Sequence, residues 1–458
     1  MRFVFLAILL ITLPLIIGYA RKGERQRDHL MLLLGLLVMA VGTLAMDAAI
    51  ISWPVWPGTS RGVIVSFVDT IALALVMTRK QRTRVPHLLG LMALFLITML
   101  PASALSGTKM ASLFSLFQFA QLVFLYYAIV PELERESGLQ NLFKGIALGL
   151  MIQAGVVIQQ KLTGVVQAYG TTVHQNILGL MLHVSVLPLI AYVLEGYRSK
   201  LIYAGIVAGL ICIAAGGSRG SVAFFAGALV LLVLLSLIRR SSGRKWGFVG
   251  LGVLGAAILV PVTMGTFTQR FGDREIASGD KTRDDLERAA RFIAADHPLG
   301  VGPNTFVTIN NMGGYATRAG MDWGAGTLDK PVHNAYLLAR AETGWAGQIA
   351  LFLLMGGTVF LGLRTGFRCR TLPIVGVSLG SACGIIAVAL HSNYEYAWYT
   401  FDVQRLFFID AALIAAATSV AIRTEKANRN EGRLRAAARH DPAARGLETA
   451  VDGGRAGI

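Results

Sequence analysis

Apolar residues fall in long unbroken runs parted by short charged segments. That is the pattern of helices apolar all round rather than of one-faced surface helices. Runs such as FVFLAILLITLPLIIGY and FFAGALVLLVLLSLI approach the ~20 residues that a bilayer crossing needs. About thirteen spans follow, near 3–19, 30–48, 62–78, 87–102, 110–130, 143–159, 177–195, 201–217, 220–238, 246–264, 340–363, 374–390 and 404–422. Only Ser218 and Arg219 part the eighth span from the ninth. The first run follows Arg2 and lacks a small-residue cleavage signature, so it reads as a retained span rather than a signal peptide. The expected fold is an all-α polytopic membrane protein with about 12–13 transmembrane helices.

Composition agrees: 54% of residues are hydrophobic and 15% charged, where a soluble domain carries roughly 25% charged. A soluble enzyme, a disordered protein and a disulfide scaffold are excluded. Cys212 and Cys383 lie in apolar runs and Cys369 in a basic loop, and all three read as reduced and structural.

The net charge of +16 is mostly a topology signal. The loops at 21–29, 79–87, 131–144, 197–200, 239–245 and 364–370, with the tail from Arg423, hold 27 of the 42 basic residues. All fall on one side of a thirteen-span arrangement, and lysine and arginine accumulate on the cytoplasmic side. The N-terminus is then outside and the tail inside. No basic surface with groove-reading or aromatic elements appears, so no nucleic-acid partner is expected. The chain divides into ten spans over 1–264, an outer loop over 265–331, three spans over 332–422, and a tail over 423–458. The tail reads as mostly disordered and solvated, its other prospect being contact with anionic headgroups.

The outer loop carries eight basic and nine acidic residues and is nearly neutral. Within it TRDDLERAARFIAADHPLG reads as a helix with Leu286, Ala289, Ala290 and Ile293 on one face, ended by His297-Pro298. Leu299-Gly300-Val301-Gly302-Pro303-Asn304 is turn chemistry. A loop this long in a compact protein is functional or disordered, and the helical pattern favours function.

Reactive side chains gather on the same side. His174, His297, His333 and His391 fall at the outer face, whereas His183 lies within a span. Arg219 sits between glycines in GGSRGS, where its planar fork suits phosphate oxygens; the alternative is an arginine snorkelling to headgroups or paired with a carboxylate. In PVHNAYLLARAETGWAG, Pro331 and Asn334 suit a helix start. His333 would then occupy the first turn with Tyr336, Leu337 and Arg340 on its face and Glu342 nearly opposite. A neutral imidazole there takes a proton from an attacking hydroxyl, or is a hydrogen-bonded structural residue. Asp47, Asp69 and Asp410 are scattered among spans and read as helix–helix hydrogen bonds or ion pairs. No metal-ligand spacing and no nucleotide motif appears.

GGSRGS, then Arg283, then DHPLGVGPNTF (296–306), then HNAYLLARAETG (333–344) resembles the O-antigen ligase/polymerase superfamily over about 170–350. Val173-His174-Gln175-Asn176 is similar to a weaker family motif, with Gln175 in place of its proline. Glu287 stands near where the family has an aromatic. The resemblance implies a GT-C-like, metal-independent membrane glycosyltransferase without cofactors and with one large helical periplasmic loop. It implies a bacterial inner-membrane location and an active site facing the periplasm. The donor would be an undecaprenyl-diphosphate-linked glycan; the acceptor, lipid A-core or a growing glycan, with membrane lipids as surroundings. Arg219 and Arg283 would hold the diphosphate and His333 would serve the acceptor hydroxyl. His174, Asn176, Asn334, Arg340 and Glu342 would support them.

Ligase, polymerase and protein O-oligosaccharyltransferase share these motifs; a single large outer loop leans toward ligase. A lipid-linked glycan flippase is the reading from another class. It would call for half-to-half repeats and midplane charges, and neither is evident.

Overall fold

The computed structural model describes residues 2–40, 48–79, 85–216, 218–250, 252, 274–321, 329–369 and 372–440. Most of the tenth expected span, Asp47 and Gly217 fall outside them. Within them helices stand at each of the other twelve expected spans. These are α1 (Arg2–Arg21), α2 (Glu24–Met39), α3 (Phe67–Met77), α4 (Leu89–Leu105), α5 (Lys109–Leu133) and α6 (Glu136–Leu162). There follow α7 (Gln175–Leu194), α8 (Lys200–Gly216) and α9 (Arg219–Arg239). The outer loop forms α10 (Arg274–Asp296) and the short α11 (Phe306–Met312) and α12 (Tyr315–Arg318). The chain closes with α13 (Ala335–Gly366), α14 (Pro373–His391), one 3-10 turn (Ala397–Tyr399) and α15 (Phe401–His440). Among the described residues eight helices are long and apolar enough to cross a membrane, and three more are apolar but shorter. The protein is an almost entirely helical, multi-pass membrane protein.

α7 is buried along its whole length and forms the hub: α14, α8, α9 and α15 pack on it. α1 is the opposite case, with only 11% of its apolar window buried, so most of its surface is left for lipid.

The basic loops meet at one end of the bundle. Arg27 pairs with Glu132, and Arg135 reaches Asp28 and Glu132 at 2.7 Å each. Arg423 pairs with Glu134 at 2.6 Å and Arg368 with Glu425 at 3.6 Å. Arg239 donates to the carbonyl of Leu372, Lys245 to the carboxylate of Glu195, and Arg79 to the carbonyl of Ala128. The opposite end, called outer below, receives the starts of α7, α9 and α13.

Two local expectations change. Ala48–Ser52 and Gly62–Val65 pair as an antiparallel hairpin, β1–β2, where the sequence reads as the end of one span, a connection and the start of the next. Apolar runs of four or five residues have no period to separate strand from helix. The tail is also not irregular throughout: α15 continues to His440. Its Ala-, Arg-, Lys- and Glu-rich sequence is a good helix former, and extending an existing helix avoids the cost of nucleation.

Candidate active site

The outer loop docks through the face read from its sequence. Leu286, Ala289, Ala290 and Ile293 are fully buried, and α10 packs on α13. Beyond α10 the chain turns through Gly300, Gly302 and Asn304, all with positive φ. This turn is bolted to α13: Val301 and Gly302 donate backbone N–H groups to the carbonyls of Ala341 and Glu342 at 3.1 and 2.9 Å. The Glu342 carboxylate accepts from the amides of Asn304 and Phe306 at 2.8 and 2.9 Å. A side chain on Gly300 would run into the Glu342 carbonyl, and one on Gly344 into that of Pro298. Gly344 also breaks the helix with φ 70° and ψ −170°. The Asn304 side chain completes the clamp, accepting from the Ser60 amide at 3.0 Å and donating to the carbonyls of Ser60 and Ala111.

Asn334 caps α13, its side-chain oxygen accepting from the amides of Tyr336 and Leu337 at 3.1 and 3.0 Å. The helix therefore begins at Ala335, and His333 lies just before the cap rather than in the first turn. Helical spacing does not govern its direction. The residues expected on its face go elsewhere: the Tyr336 hydroxyl donates to Ala389, and the Arg340 guanidinium lies 3.6 Å from the centre of the Trp345 ring.

Glu395 orients His333. Its Oε2 lies 3.1 Å from His333 Nδ1, while Oε1 accepts from the Asn176 side chain and, at 3.3 Å, from the Arg283 guanidinium. One carboxylate thus joins the start of α7, the outer loop and the approach to α13. The Ala335 amide donates to the Ser392 carbonyl at 2.8 Å and ties the segment that carries Glu395 to the start of α13 by backbone. Tyr396 packs edge-on to the His333 ring. His174 caps α7 through its Nδ1, which accepts from the Asn176 amide at 3.2 Å.

Arg219 opens α9, whose Ser218 cap accepts from the Ser221 amide. Two contacts place that turn beside the cluster. Gly179 in the second turn of α7 leaves room for Ser221, and Gly220 faces the His391 ring at the end of α14.

The electrostatics follow from this packing. Burial alone would raise the Glu395 carboxyl. The hydrogen bond from His333 and the charges of His333, Arg283 and His391 outweigh that and hold it below the ordinary carboxylate range. Burial lowers His174, and His333, Lys330 and Arg283 add to the effect against the pull of Glu395. Arg283 remains 45% exposed and His333 17%, so both are open to a ligand.

Of the residues singled out by sequence, the structure brings His333, Arg283, Asn176 and His174 together around Glu395, with Arg219 on the adjoining turn. Asn334 and Glu342 hold backbone in place, and Arg340 stacks on Trp345. Glu395 itself was not anticipated. The available signal was an acid in a short aromatic-rich outer segment, SNYEYAWY, just after His391. Among the described residues no group of three or more His, Cys, Asp or Glu is arranged to hold a metal ion.

Comparison with curated proteins gives no match. Residues 204–352 match a family described as O-Antigen ligase. Arg219, Arg283 and His333 lie inside that stretch, whereas Asn176, His391 and Glu395 lie outside it. The resemblance carried by the motifs is borne out over that stretch.

Proposed function

We propose that the chain transfers a glycan from undecaprenyl diphosphate to an acceptor hydroxyl at the periplasmic face of the bacterial inner membrane, as an O-antigen ligase acting on lipid A-core. The observation that carries this is the imidazole of His333 braced by a carboxylate that also holds the Arg283 guanidinium, with the turn that bears Arg219 adjoining at the same end of the bundle. The starts of α7, α9 and α13 meet there as well, and each presents the positive end of a helix dipole.

With Nδ1 held by Glu395, His333 keeps Nε2 for the acceptor. Nε2 takes the hydroxyl proton as the acceptor oxygen bonds to the anomeric carbon and the bond from that carbon to the diphosphate breaks. The negative charge that develops on the departing diphosphate falls to Arg219 and Arg283. Attack from the face opposite the diphosphate inverts the anomeric centre. The scheme draws on no metal, since the guanidinium groups and helix starts supply the charge.

The test is transfer by the full chain in lipid nanodiscs, given an undecaprenyl-diphosphate-linked glycan and lipid A-core. The expected product, read by mass spectrometry and NMR, is glycosylated lipid A-core with inverted linkage. Its formation should persist in EDTA. His333→Ala should lower turnover by about 10²–10⁴-fold without loss of fold. Lengthened lipid-linked glycan instead would assign the chain as a polymerase, and flipping without transfer would refute the enzyme reading.

A further inference from the structure

Two buried histidines beneath the site have no part in that scheme. His183 is fully buried in the third turn of α7, and its Nε2 lies 3.3 Å from Nδ1 of His391. His183 Nδ1 has no hydrogen-bond partner. A pair of apolar side chains would fill this space without stranding a polar atom, so packing alone does not account for two imidazoles. What the pair provides is direction. The hydrogen bond fixes one orientation of the His391 ring, and His391 stands between two parts of the site, its ring against one and its backbone leading to the other.

On one side stands the turn that carries Arg219. A Cβ at Gly220 would lie 2.9 Å from His391 Nε2, so only glycine lets the turn come this close. Phe224, one helical turn further along α9, packs on the same ring at 5.2 Å. On the other side, the carbonyl of His391 accepts from the Tyr394 amide at 2.9 Å and opens the turn leading to Glu395.

We propose that His391, its ring held by His183, is a positioning residue that spaces the Gly220–Arg219 turn from Glu395, so that Arg219 and Arg283 close on one diphosphate. The proposal rests on the diphosphate reading of the site given above. A guanidinium fork rewards placement to within about an ångström, so a shift of the turn should appear in diphosphate affinity before it appears in turnover.

The test uses the full chain in nanodiscs, with undecaprenyl diphosphate as binding probe and the lipid-linked glycan as substrate. His391→Phe and His183→Phe keep the volume and remove the hydrogen bond. Each should raise Kd for undecaprenyl diphosphate and donor KM about tenfold, with kcat changed by less than about twofold. His183→Gln, which restores a polar partner, should recover most of the affinity. Gly220→Ala should weaken binding similarly, and the Gly220→Ala/His391→Ala pair should be no worse than His391→Ala alone, because the added methyl then meets no ring. Wild-type Kd in both Phe variants, or strictly additive effects of Gly220 and His391, overturns the proposal. So does a fall in kcat with unchanged KM. If a Phe variant does not fold, Gly220→Ala decides alone, and a wild-type Kd in it is the overturning result. A native chain that neither binds the probe nor transfers glycan refutes the function itself; a native chain that does both while the variants match it refutes only the positioning role.

Discussion

Glu395 serves at once as the partner of His333, the counter-charge of Arg283 and the acceptor for Asn176. Replacing it with glutamine keeps the size but removes the charge that steadies an imidazolium. Glu395→Gln should lower kcat about 10–100-fold with less effect on donor KM, as reconstituted kinetics would show. The carboxyl is also linked to folding. A group depressed in the folded state stabilises above its unfolded value, and that stabilisation is lost as pH falls through the folded value. Thermal melting in detergent should therefore weaken as the medium is acidified through and below the ordinary carboxylate range, and Glu395→Gln should flatten that part of the profile. His333 and Arg219 could be singled out as candidates because charged or titratable groups stand out against apolar spans and fall on one side of them; Arg283, one of eight basic residues in the outer loop, was singled out only by the family resemblance. Glu395 was not legible, since its partner is 62 residues away and no spacing rule links them. Arg340 was misjudged for a related reason: the face assigned to it presumed a helix that includes His333, and the helix begins two residues later.

At the scale of elements, the outer turn is held chiefly by the carboxylate of Glu342. Glu342→Ala leaves two buried amides, those of Asn304 and Phe306, without acceptors. The expected cost is about 2–4 kcal/mol, seen as a lower melting temperature and faster proteolysis between α10 and α11. Among the described residues most spans were legible to within several residues, because hydrophobic length is a direct consequence of bilayer thickness; the span expected over 30–48 was not, its helix running Glu24–Met39. The docking face of α10 was legible too, its four apolar positions lying on one stripe. The β1–β2 hairpin and the helical start of the tail were not, because short apolar runs and polar helix formers both lack a distinguishing period.

For the whole molecule, charge bias along the sequence foretold an arrangement that only the fold makes physical: loops at 21–29, 79–87, 131–144, 239–245 and 364–370 tied together at one end. Cys369 lies at that end, and Cys212 and Cys383 are buried in helices. In whole cells a membrane-impermeant thiol reagent should leave the native protein unlabelled. It should label a cysteine introduced at the exposed Met312 of the outer loop. Labelling of Cys369 from outside would invert the orientation proposed for the enzyme.

The break at Gly344 divides α13 into a membrane part and a part that travels with the outer turn. Trp345, 52% exposed and stacked under Arg340, sits at the junction as aromatic residues do at a water–lipid boundary. From Gly344 to Gly366 the helix is about 34 Å long, enough to fill a hydrocarbon layer of ~30 Å. The segment above it, Ala335 to Thr343, becomes a pedestal of up to about 14 Å with His333 at its top. On the proposed function, His333 would thereby stand in the headgroup layer, at the height where a polyprenyl anchor ends and its sugars begin.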